Sequence, residues 1–434
     1  MQDAFVPSRA RPSQTTVLPR RCTAVVYLLY DIKRIDSGQR MMTHVTVALN
    51  GTLVPIERDV FMALFSSSVV SNYAGVRNAL DGKRLPFKDF LKLASKAEIP
   101  YPLFFAPKRV VEEQVRLKTE KLMAGFTKTS FSIHSRHKVE LRDVELIVKD
   151  LLRKQEWLRR YDDTLVKNDL VGLLNRSHRS VADDALRLMA AVEFTRSELR
   201  TARTKEAALD LLITRLEAKQ VFVSRSAQHH MPQEMPPHAK FSGMMIKDNK
   251  VPFIFLATGN EGEHLEATGR RLFTLVLLRV LIAQGTFAPV NYDGHTKDET
   301  SPRAYQLTTE ILMPTGEMRA MNFLDLQSVK DAADKFKVTR SAVAMRARRL
   351  GRLDRDTFSG YMDDLQDEYN NQPKQIMSNA HPVNALKKYN GVECSRRMLS
   401  ILDSGHINRT EFRRIVLFNK LPASQINDFR AAVG

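Results

Sequence analysis

The strongest run of apolar positions in the chain extends from Gly269 to Ile282, with the sequence GRRLFTLVLLRVLI. Its apolar side chains recur at the three- and four-residue offsets of an α-helix, so the pattern predicts one leucine-rich helix buried in a core. A single charge interrupts the apolar body of this helix, at Arg279. A polar gap separates the helix from a second apolar stretch, Ala304 to Pro314.

Helical periodicity also dominates most of the remaining chain, while β-structure is predicted in only a few short segments. Helices are predicted within 110–160 and over 163–175, 181–191, 205–219, 326–336, 339–352, 396–402 and 410–418. A short strand is predicted at 221–223, and a hairpin is predicted from 241–246 and 251–256. Two segments lack periodicity, a connector at 130–136 and an acidic, amide-rich linker at 356–382. The pattern therefore predicts an α+β fold that is mainly helical.

Three further helices are predicted near the N-terminus, over 56–65, 70–80 and 87–96. Gly82 lies where a left-handed residue ends a helix, and Pro86 suits the entry into the next one. Upstream, 23–30 is rich in β-branched and aromatic residues and fits either a buried strand or a short helix. Residues 1–22 alternate prolines with arginines, which predicts a disordered basic tail.

The step Gly82-Lys83-Arg84 before Pro86, followed by a helix with Leu91-Lys92-Leu93-Ala94, resembles the helix-turn-helix of the Xre (phage repressor) family. The resemblance implies a recognition helix over 71–80. Its implied DNA-contacting residues are Asn72, Tyr73, Arg77, Asn78, Lys83 and Arg84. Asparagine and arginine can bind adenine and guanine edges bidentately, while lysine and arginine suit phosphates. The stretch 50–55 contains no obvious first helix, so a dimerisation or docking role stays open.

The Arg270-Arg271 pair and the Phe273-Thr274-Leu275 that follows resemble the ImmA/IrrE family of zinc-peptidase-like proteins. That family places an HExxH motif directly after such a sequence, with two histidines as zinc ligands and a glutamate as general base. In this chain the three positions are occupied by Leu277, Leu278 and Leu281, which can neither bind a metal nor move a proton. The order of strand, hairpin and helix over 221–283 is also similar to the small sheet of this family.

The third zinc ligand of the family is a carboxylate upstream of an Ala-Ala-Glu-like stretch, which here is Thr308-Thr309-Glu310. The corresponding position falls at 301–303, where no carboxylate is present. The resemblance therefore implies a pseudo-metallopeptidase with no catalytic residue, no metal and no cofactor. The helix pair at 326–352 is similar to one that packs on the family's core, and it also has the shape of a second helix-turn-helix. Its basic face, interpreted as either solvated or phosphate-binding, consists of Arg340, Arg346, Arg349 and Arg352.

Charge and cysteine content narrow the class of protein further. The 434-residue chain carries 67 Lys and Arg against 49 Asp and Glu, a formal net charge of +18, which favours a polyanionic partner such as nucleic acid. Cys22 and Cys394 lie far apart and form neither a disulfide framework nor a metal quartet, which suits a reducing cytosol. The sequence predicts neither a secretory signal nor a membrane-spanning helix, because its longest apolar run is short and contains Arg279.

Two other clusters of metal-ligating residue types carry less weight. His229, His230 and His238 lie in a proline-rich loop without fixed spacing, which argues against a zinc site. The acidic stretch 261–266 beside His264 is better explained as a solvated lead-in to the apolar helix. The sequence contains no phosphate loop, nucleophile elbow or dinucleotide fingerprint.

These observations divide the chain into a disordered basic tail (1–22), an Xre-like domain (23–107), a helical connector (108–220), a degenerate ImmA/IrrE peptidase-like domain (221–355), a linker (356–382) and a helical C-terminal segment (383–434). We expect a cytoplasmic DNA-binding regulator or antitoxin-like protein of a mobile-element or phage-defence system. Its expected partners are double-stranded DNA and a toxin or repressor protein, bound through the peptidase-like domain, and a homodimer stays open. The alternatives are an active metalloprotease that cleaves a repressor with non-standard ligands, and a protein-interaction antitoxin without DNA contact.

Overall fold

Helices dominate the structure, a computed structural model that describes residues 43–66, 68–71, 73–126, 141–227, 229–235, 241–257, 259–260, 264–291, 303–371 and 380–434. With 18 α-helices and small mixed sheets in this part of the chain, the predicted mainly helical α+β class is confirmed. The tail 1–22, the apolar segment 23–30 and the connector 130–136 lie outside the described residues. The chain divides into two units, Met1–His44 and Val45–Gly434, and the elements beyond His44 belong to the second.

The N-terminal elements are β1 (His44–Leu49), β2 (Thr52–Glu57), α1 (Arg58–Ser66), α2 (Ala74–Leu80), β3 (Leu85–Pro86), α3 (Phe87–Lys96) and a 3₁₀ helix (Tyr101–Phe105). They begin with a hairpin, whose two-residue loop holds Asn50 and Gly51 at φ angles of 48° and 83°. These are the left-handed conformations that a type I′ turn requires. The helix predicted from residue 56 is therefore wrong at its start, because strand β2 continues to Glu57.

Helix α2 is shorter than the predicted recognition helix over 71–80. Tyr73 is its N-cap and has an extended backbone, with φ −73° and ψ 144°. After its last turn Gly82 adopts a φ of 87°, which confirms the predicted helix stop, and Pro86 is the N-cap of α3, close to its predicted place. Between them Leu85 pairs in parallel with Val47, so β3 completes a three-stranded sheet in the order β2-β1-β3.

Four phenylalanines form the core of this N-terminal part. The ring centroids of Phe61 and Phe65 lie 4.9 Å apart, and those of Phe65 and Phe104 lie 4.8 Å apart. Phe90 of α3 meets Phe104 edge-on at 5.0 Å. All four side chains are buried. Each such ring pair contributes roughly 0.5–1.5 kcal/mol beyond the area that it buries, so Phe104 fastens the 3₁₀ helix to α1 and α3.

Helices α4 (Lys108–Met123) and α5 (Leu141–Tyr161) link this part to the remainder. Val111 of α4 belongs to the phenylalanine core. Leu122, near the other end of the same helix, belongs to a second core that it shares with α5. Glu145 of α5 is fully buried and forms ion pairs with Lys118 and Lys149 at 2.5 and 3.0 Å. The predicted connector 108–220 is therefore packed structure wherever it is described.

Residues 163–176 form turns, so the helix predicted at 163–175 is wrong. The side-chain amide of Asn168 bonds to backbone groups and competes with helical hydrogen bonds. The N–H groups of Gly172 and Leu174 donate to the carbonyls of Ile282 and Ala283 at 3.1 and 2.7 Å. The segment thereby satisfies the last carbonyls of the apolar core helix, which a helix of its own could not do.

The central elements are α6 (Val181–Ala191), α7 (Arg196–Thr201), α8 (Lys205–Ala218), β4 (Phe222–Arg225), β5 (Phe241–Ile246), β6 (Phe253–Leu256), β7 (Gly259–Asn260), β8 (His264–Leu265), α9 (Thr268–Ala283) and β9 (Pro289–Asn291). The bounds of α6 match its predicted range of 181–191. Strands β5 and β6 are antiparallel, which confirms the predicted hairpin, and β4 lies parallel to β6. Ser180, Thr195 and Thr204 cap α6, α7 and α8 through their side-chain hydroxyls.

The four-stranded sheet, in the order β4-β6-β5-β9, is covered by helices on both faces. Alternate residues of the strands lie on opposite faces of the sheet and belong to two different cores. Val223, Met245 and Ile254 pack with α9 on one face. Their neighbours Phe222, Met244, Phe253 and Phe255 pack with α5 on the other face. This explains why the strands are continuously apolar rather than alternating. Among the described helices none is both long and apolar enough to span a membrane.

The next elements are α10 (Arg303–Leu312), α11 (Thr315–Ala320), α12 (Leu326–Lys335), α13 (Arg340–Arg349) and α14 (Arg355–Asn370). Helix α14 occupies the first part of the predicted linker 356–382, so that prediction is wrong there; 372–379 lie outside the described residues. Glu368 fixes α14 through ion pairs with Lys330 of α12 and, at 2.6 Å, Arg340 of α13. Glu368 therefore ties α14 to two neighbouring helices, whereas the acidic side chains of Asp363, Asp364 and Asp367 are exposed.

The C-terminal elements are α15 (Pro382–Asn390), α16 (Val392–Asp403), α17 (Arg409–Ile415), a 3₁₀ helix (Ala423–Gln425) and α18 (Ile426–Val433). They share one core with α5 and the sheet. A buried cluster of polar side chains lies in the contact between α5 and α15. Asp150 of α5 accepts hydrogen bonds from the Lys154 ammonium at 2.6 Å and from the Tyr389 hydroxyl at 2.9 Å. The predicted C-terminal segment is thus an integral layer of the fold.

Glu217 fastens the start of α16 to the sheet. Its carboxylate accepts from the N–H of Glu393 at 3.2 Å and from the N–H of Val223 at 3.5 Å. Gly391 precedes α16 at a φ of 80°, and a Cβ there would lie 2.5 Å from the Glu217 carboxylate and 2.8 Å from the Val223 carbonyl. Burial raises the pKa of Glu217 to about 7, which the two N–H donors and Arg225 partly oppose and nearby Glu393 reinforces.

Glu217→Gln is expected to flatten the dependence of stability on pH. Because the pKa of Glu217 is higher in the folded than in the unfolded chain, its stabilising contribution is complete below about pH 4.5 and is lost as the pH rises through about 7. Relative to the natural protein, the variant should gain roughly 3 kcal/mol between these limits. Urea denaturation at pH 5, 6, 7 and 8 measures this, with Glu156→Gln at an exposed position of α5 as the control. Parallel profiles for Glu217→Gln and the natural protein would contradict the assignment.

Candidate functional site

The three leucines that the resemblance aligns with the HExxH motif lie inside the core. Leu277, Leu278 and Leu281 are 3%, 0% and 1% exposed. Gly243 of β5 permits this packing, because a Cβ there would lie 2.9 Å from a Leu278 methyl and 2.7 Å from the Phe255 carbonyl oxygen. Burying each leucine stabilises the fold by roughly 1.5–3 kcal/mol. The middle of α9 is therefore built as a packing surface against the sheet.

Arg279 lies in this same apolar environment and is fully buried. None of its guanidinium nitrogens has a hydrogen-bond partner among the described residues. Its carbon centre lies 5.1 Å from the Phe194 ring, a cation–π arrangement. Burial lowers the pKa of Arg279 to about 9. The sequence showed an arginine within the apolar helix. Its periodicity did not reveal that the guanidinium is buried without a counter-ion in the described part of the chain.

Glu310, in the Ala-Ala-Glu-like stretch, holds three helices together. Its carboxylate accepts from the Thr315 hydroxyl at 2.5 Å and from the Arg346 guanidinium at 2.9 Å. Arg346 also donates to the Thr315 hydroxyl at 2.8 Å. This closed triangle joins α10, α11 and α13. At the implied third-ligand position, Arg303 donates to the carboxylate of Asp184, while 301 and 302 lie outside the described residues.

The second basic face predicted on α13 is only partly exposed, since Arg349 and Arg352 face solvent whereas the Arg346 side chain is largely buried. Arg346 is engaged by Glu310, and Arg340 pairs with Glu368. Arg352 donates to the Asn322 side chain at 2.9 Å, and Arg349 also has a partner. Each of these four guanidinium groups therefore has at least one partner within the chain.

The two ligand clusters given less weight do not form metal sites within the described residues, where no three His, Cys, Asp or Glu side chains converge. His229 is exposed and pairs with Glu234 at 3.0 Å, whereas His238 lies outside the described residues. Glu266 corrects one expectation, because it is partly buried and accepts from the Ser242 hydroxyl at 2.9 Å rather than being solvated. Burial raises the pKa of Glu266 to about 7, opposed by the Ser242 hydrogen bond and by Arg270 and Arg271.

The exposed surface of α2 carries the residues implied for DNA contact. Arg77 and Asn78 project into solvent, and Lys83 donates to the Asn78 side chain at 3.1 Å. Arg84 is exposed as well. Tyr73 is half-buried at the N-cap, and Asn72 lies outside the described residues. The described members of the predicted set therefore cluster around one short helix and the turn that follows it.

A stripe of lysines on α3 extends this surface and was missed in the sequence. Lys88, Lys92 and Lys96 recur every four residues and are exposed. The Lys96 ammonium lies 4.8 Å from the centre of the Tyr73 ring, which places the stripe beside α2. Lys92 pairs with Asp89 at 3.0 Å. The four-residue spacing was the available signal, because it puts all three ammonium groups on one helical face.

Two contacts fix the position of α2 against its neighbours α3 and α1. A Cβ at Gly75 would lie 3.2 Å from a Leu93 methyl, so the glycine lets the two helices approach closely. Arg58 of α1 donates to the carbonyl of Leu80 at 2.6 Å and holds the end of α2. We call the surface formed by Arg77, Asn78, Lys83, Arg84, Lys88, Lys92 and Lys96 the basic α2–α3 surface.

Comparison of the chain with protein-family models, with curated proteins and with solved structures found no match.

Proposed function

We propose that this chain is a DNA-binding regulator or antitoxin-like protein of a mobile-element or phage-defence system. The observation that carries the proposal is the basic α2–α3 surface, where Asn78 and six cations are exposed on two consecutive helices and the turn between them. Within the described part of the chain, Arg77, Arg84 and Lys88 form no ion pair, so their charge is available to an external polyanion. The formal net charge of +18 strengthens attraction to the same partner over longer distances.

The size of α2 limits how DNA is bound in this proposal. Seven residues give a helix about 10 Å long, which is about two turns in a major groove. Arg77 and Asn78 are then the base-reading side chains, and Lys83 orients Asn78. The lysine stripe of α3 contacts phosphates and sets affinity without reading sequence.

Arg77→Ala is expected to weaken binding to a specific site by roughly 1–3 kcal/mol and to change non-specific binding little. Lys88→Ala should weaken binding to all sequences about equally and reduce the salt slope by about 1, because it removes one phosphate contact. Fluorescence anisotropy with the DNA upstream of the gene, and with an unrelated duplex, at several salt concentrations measures both effects. Arg109→Ala, an exposed arginine on α4, is the matched control. Equal, small losses for all three variants would leave only a generic basic surface, and no binding at all would favour the protein-interaction antitoxin.

In the same proposal, the part centred on α9 is a pseudo-metallopeptidase that binds a toxin, a repressor or a ligand. The support is the packing of Leu277, Leu278 and Leu281, whose side chains offer no lone pair to a metal and fill the space beside the sheet. Partner binding by this part is independent of the basic α2–α3 surface, so the two roles can be tested separately.

Purified protein is expected to contain no stoichiometric zinc, and chelators should leave its melting temperature unchanged. Restoring the motif through Leu277→His, Leu278→Glu and Leu281→His should lower that temperature, because three polar groups would be buried in an apolar core. Elemental analysis and thermal melts with and without chelator measure this. One zinc per chain in the natural protein would overturn the pseudo-metallopeptidase and support the metalloprotease alternative.

A further inference from the structure

Three cationic side chains from three different elements meet beside the edge strand β4. Arg225 is the last residue of β4, Arg271 lies in the first turn of α9, and Lys388 lies in the last turn of α15. The elements are joined at this point, since the Ser224 hydroxyl donates to the carbonyl of Tyr389 at 2.5 Å. We call Arg225, Arg271 and Lys388 the β4-edge cluster.

Acidic groups compensate two members of the β4-edge cluster, Arg225 and Arg271; for Arg271 these include the partly buried Glu266. Arg225 pairs with Asp210 of α8 at 2.7 Å. Arg271 donates to the Thr268 hydroxyl, which is itself occupied with Glu206 of α8 at 2.5 Å. The Nε of Arg271 is nevertheless buried and has no hydrogen-bond partner among the described residues.

Lys388 is the least compensated member. Its side chain is partly buried and forms neither an ion pair nor a hydrogen bond within the described part of the chain. Burial, together with the charges of Arg225 and Arg271, lowers the pKa of Lys388 to about 8, an effect that Asp210 partly opposes. A partly buried ammonium that has no counter-ion within the described part of the chain would be stabilised by a bound anion.

We propose that the β4-edge cluster binds the terminal phosphate of a small ligand. A guanidinium offers paired donors that match phosphate oxygens, and an ammonium adds a point charge. The start of α9 lies at the same place, and its macrodipole also favours negative charge. Lys388 and Arg271 are partly buried, and a phosphate that ends a molecule reaches such side chains more easily than the backbone of a duplex does. The site is separate from DNA binding and goes beyond the proposed function.

Two titrations test the proposal and separate the sources of the phosphate. Isothermal calorimetry and thermal melts are carried out with inorganic phosphate, with adenosine monophosphate and with adenosine, each against chloride at equal ionic strength. Saturable binding and a raised melting temperature are expected with one or both phosphates and not with adenosine. Tighter binding of the nucleotide than of inorganic phosphate would identify a nucleotide-type ligand, and equal affinity would identify the free anion.

Lys388→Met and Arg271→Met should each weaken phosphate binding at least tenfold. Lys387→Met is the matched control on the same helix, since its ammonium donates instead to the carbonyl of Ala432 at 3.0 Å. In chloride alone, Lys388→Met should melt at the same or a higher temperature, because it relieves repulsion, whereas a structural role for Lys388 would lower that temperature. Lys388→Arg should retain binding. Absent saturation in the natural protein, or equal affinities in Lys388→Met and Lys387→Met, would overturn the proposal.

Discussion

Asp150→Asn is expected to lower the free energy of unfolding by roughly 3–5 kcal/mol, the usual effect of removing one partner from a buried ion pair. Asp150 and Lys154 have side chains that are 2% and 0% exposed, with 2.6 Å between the carboxylate and the ammonium. Without the carboxylate charge, the ammonium would remain buried between the rings of Tyr389 and Phe418, whose centres lie 4.6 and 5.2 Å away. Two cation–π contacts at roughly 2 kcal/mol each do not offset the several kcal/mol that desolvating an ion costs.

A double variant separates the charge from the packing in this prediction. Asp150→Leu combined with Lys154→Met removes both ions at similar volume but leaves the buried Tyr389 hydroxyl without its acceptor, so it should cost only about 1–3 kcal/mol, less than the sum of the two single variants. Denaturant titrations of Asp150→Leu, Lys154→Met and the double variant give the coupling energy. If the double variant costs as much as the sum of the single ones, the pair contributes no coupling, and the assignment of a mutually dependent ion pair fails.

Sequence periodicity predicted the elements whose pattern is local. Helix α6 and the hairpin of β5 and β6 were located closely, because capping residues and continuous apolar runs lie within the segments themselves. The Asn50-Gly51 hairpin was also locally encoded but was not predicted. The turns over 163–176 were not predictable in this way, since their donors serve the carbonyls of Ile282 and Ala283, which are more than a hundred residues away in the chain.

The candidate sites show the same difference between features set by residue spacing within one helix and features set by contacts with residues far away in the sequence. The lysine stripe of α3 follows from spacing alone, whereas the fate of the arginines on α13 depends on distant acids. Arg346 meets Glu310 and Arg340 meets Glu368 only after the helices have packed. A helical face of like charges therefore predicts where basic residues lie. It does not predict whether they are free to bind phosphate.

Arg279→Met is expected to raise the free energy of unfolding by roughly 1–4 kcal/mol, the range found when buried ionic groups are replaced by apolar side chains. The guanidinium is fully buried, and its nitrogens lack hydrogen-bond partners in the part of the chain that the structure describes. The contact with the Phe194 ring returns roughly 2 kcal/mol at most, which is less than the cost of desolvating the charge. Methionine is unbranched and can occupy the path of the arginine stem between the neighbouring leucines.

Arg279→Lys is the matched control for this gain, because it retains a charge in the same place. The lysine variant should be less stable than the methionine variant by several kcal/mol, since an ammonium is more strongly hydrated than a guanidinium and loses more on burial. Guanidinium chloride titrations at pH 7 measure all three proteins under one condition, below the lowered pKa of about 9 at which Arg279 would lose its charge. A methionine variant less stable than the natural protein would mean that a counter-ion from outside the described residues, or a bound anion, neutralises Arg279 in the folded chain. The core of α9 would then be a functional site rather than a packing surface, and the pseudo-metallopeptidase proposal would need a ligand at its centre.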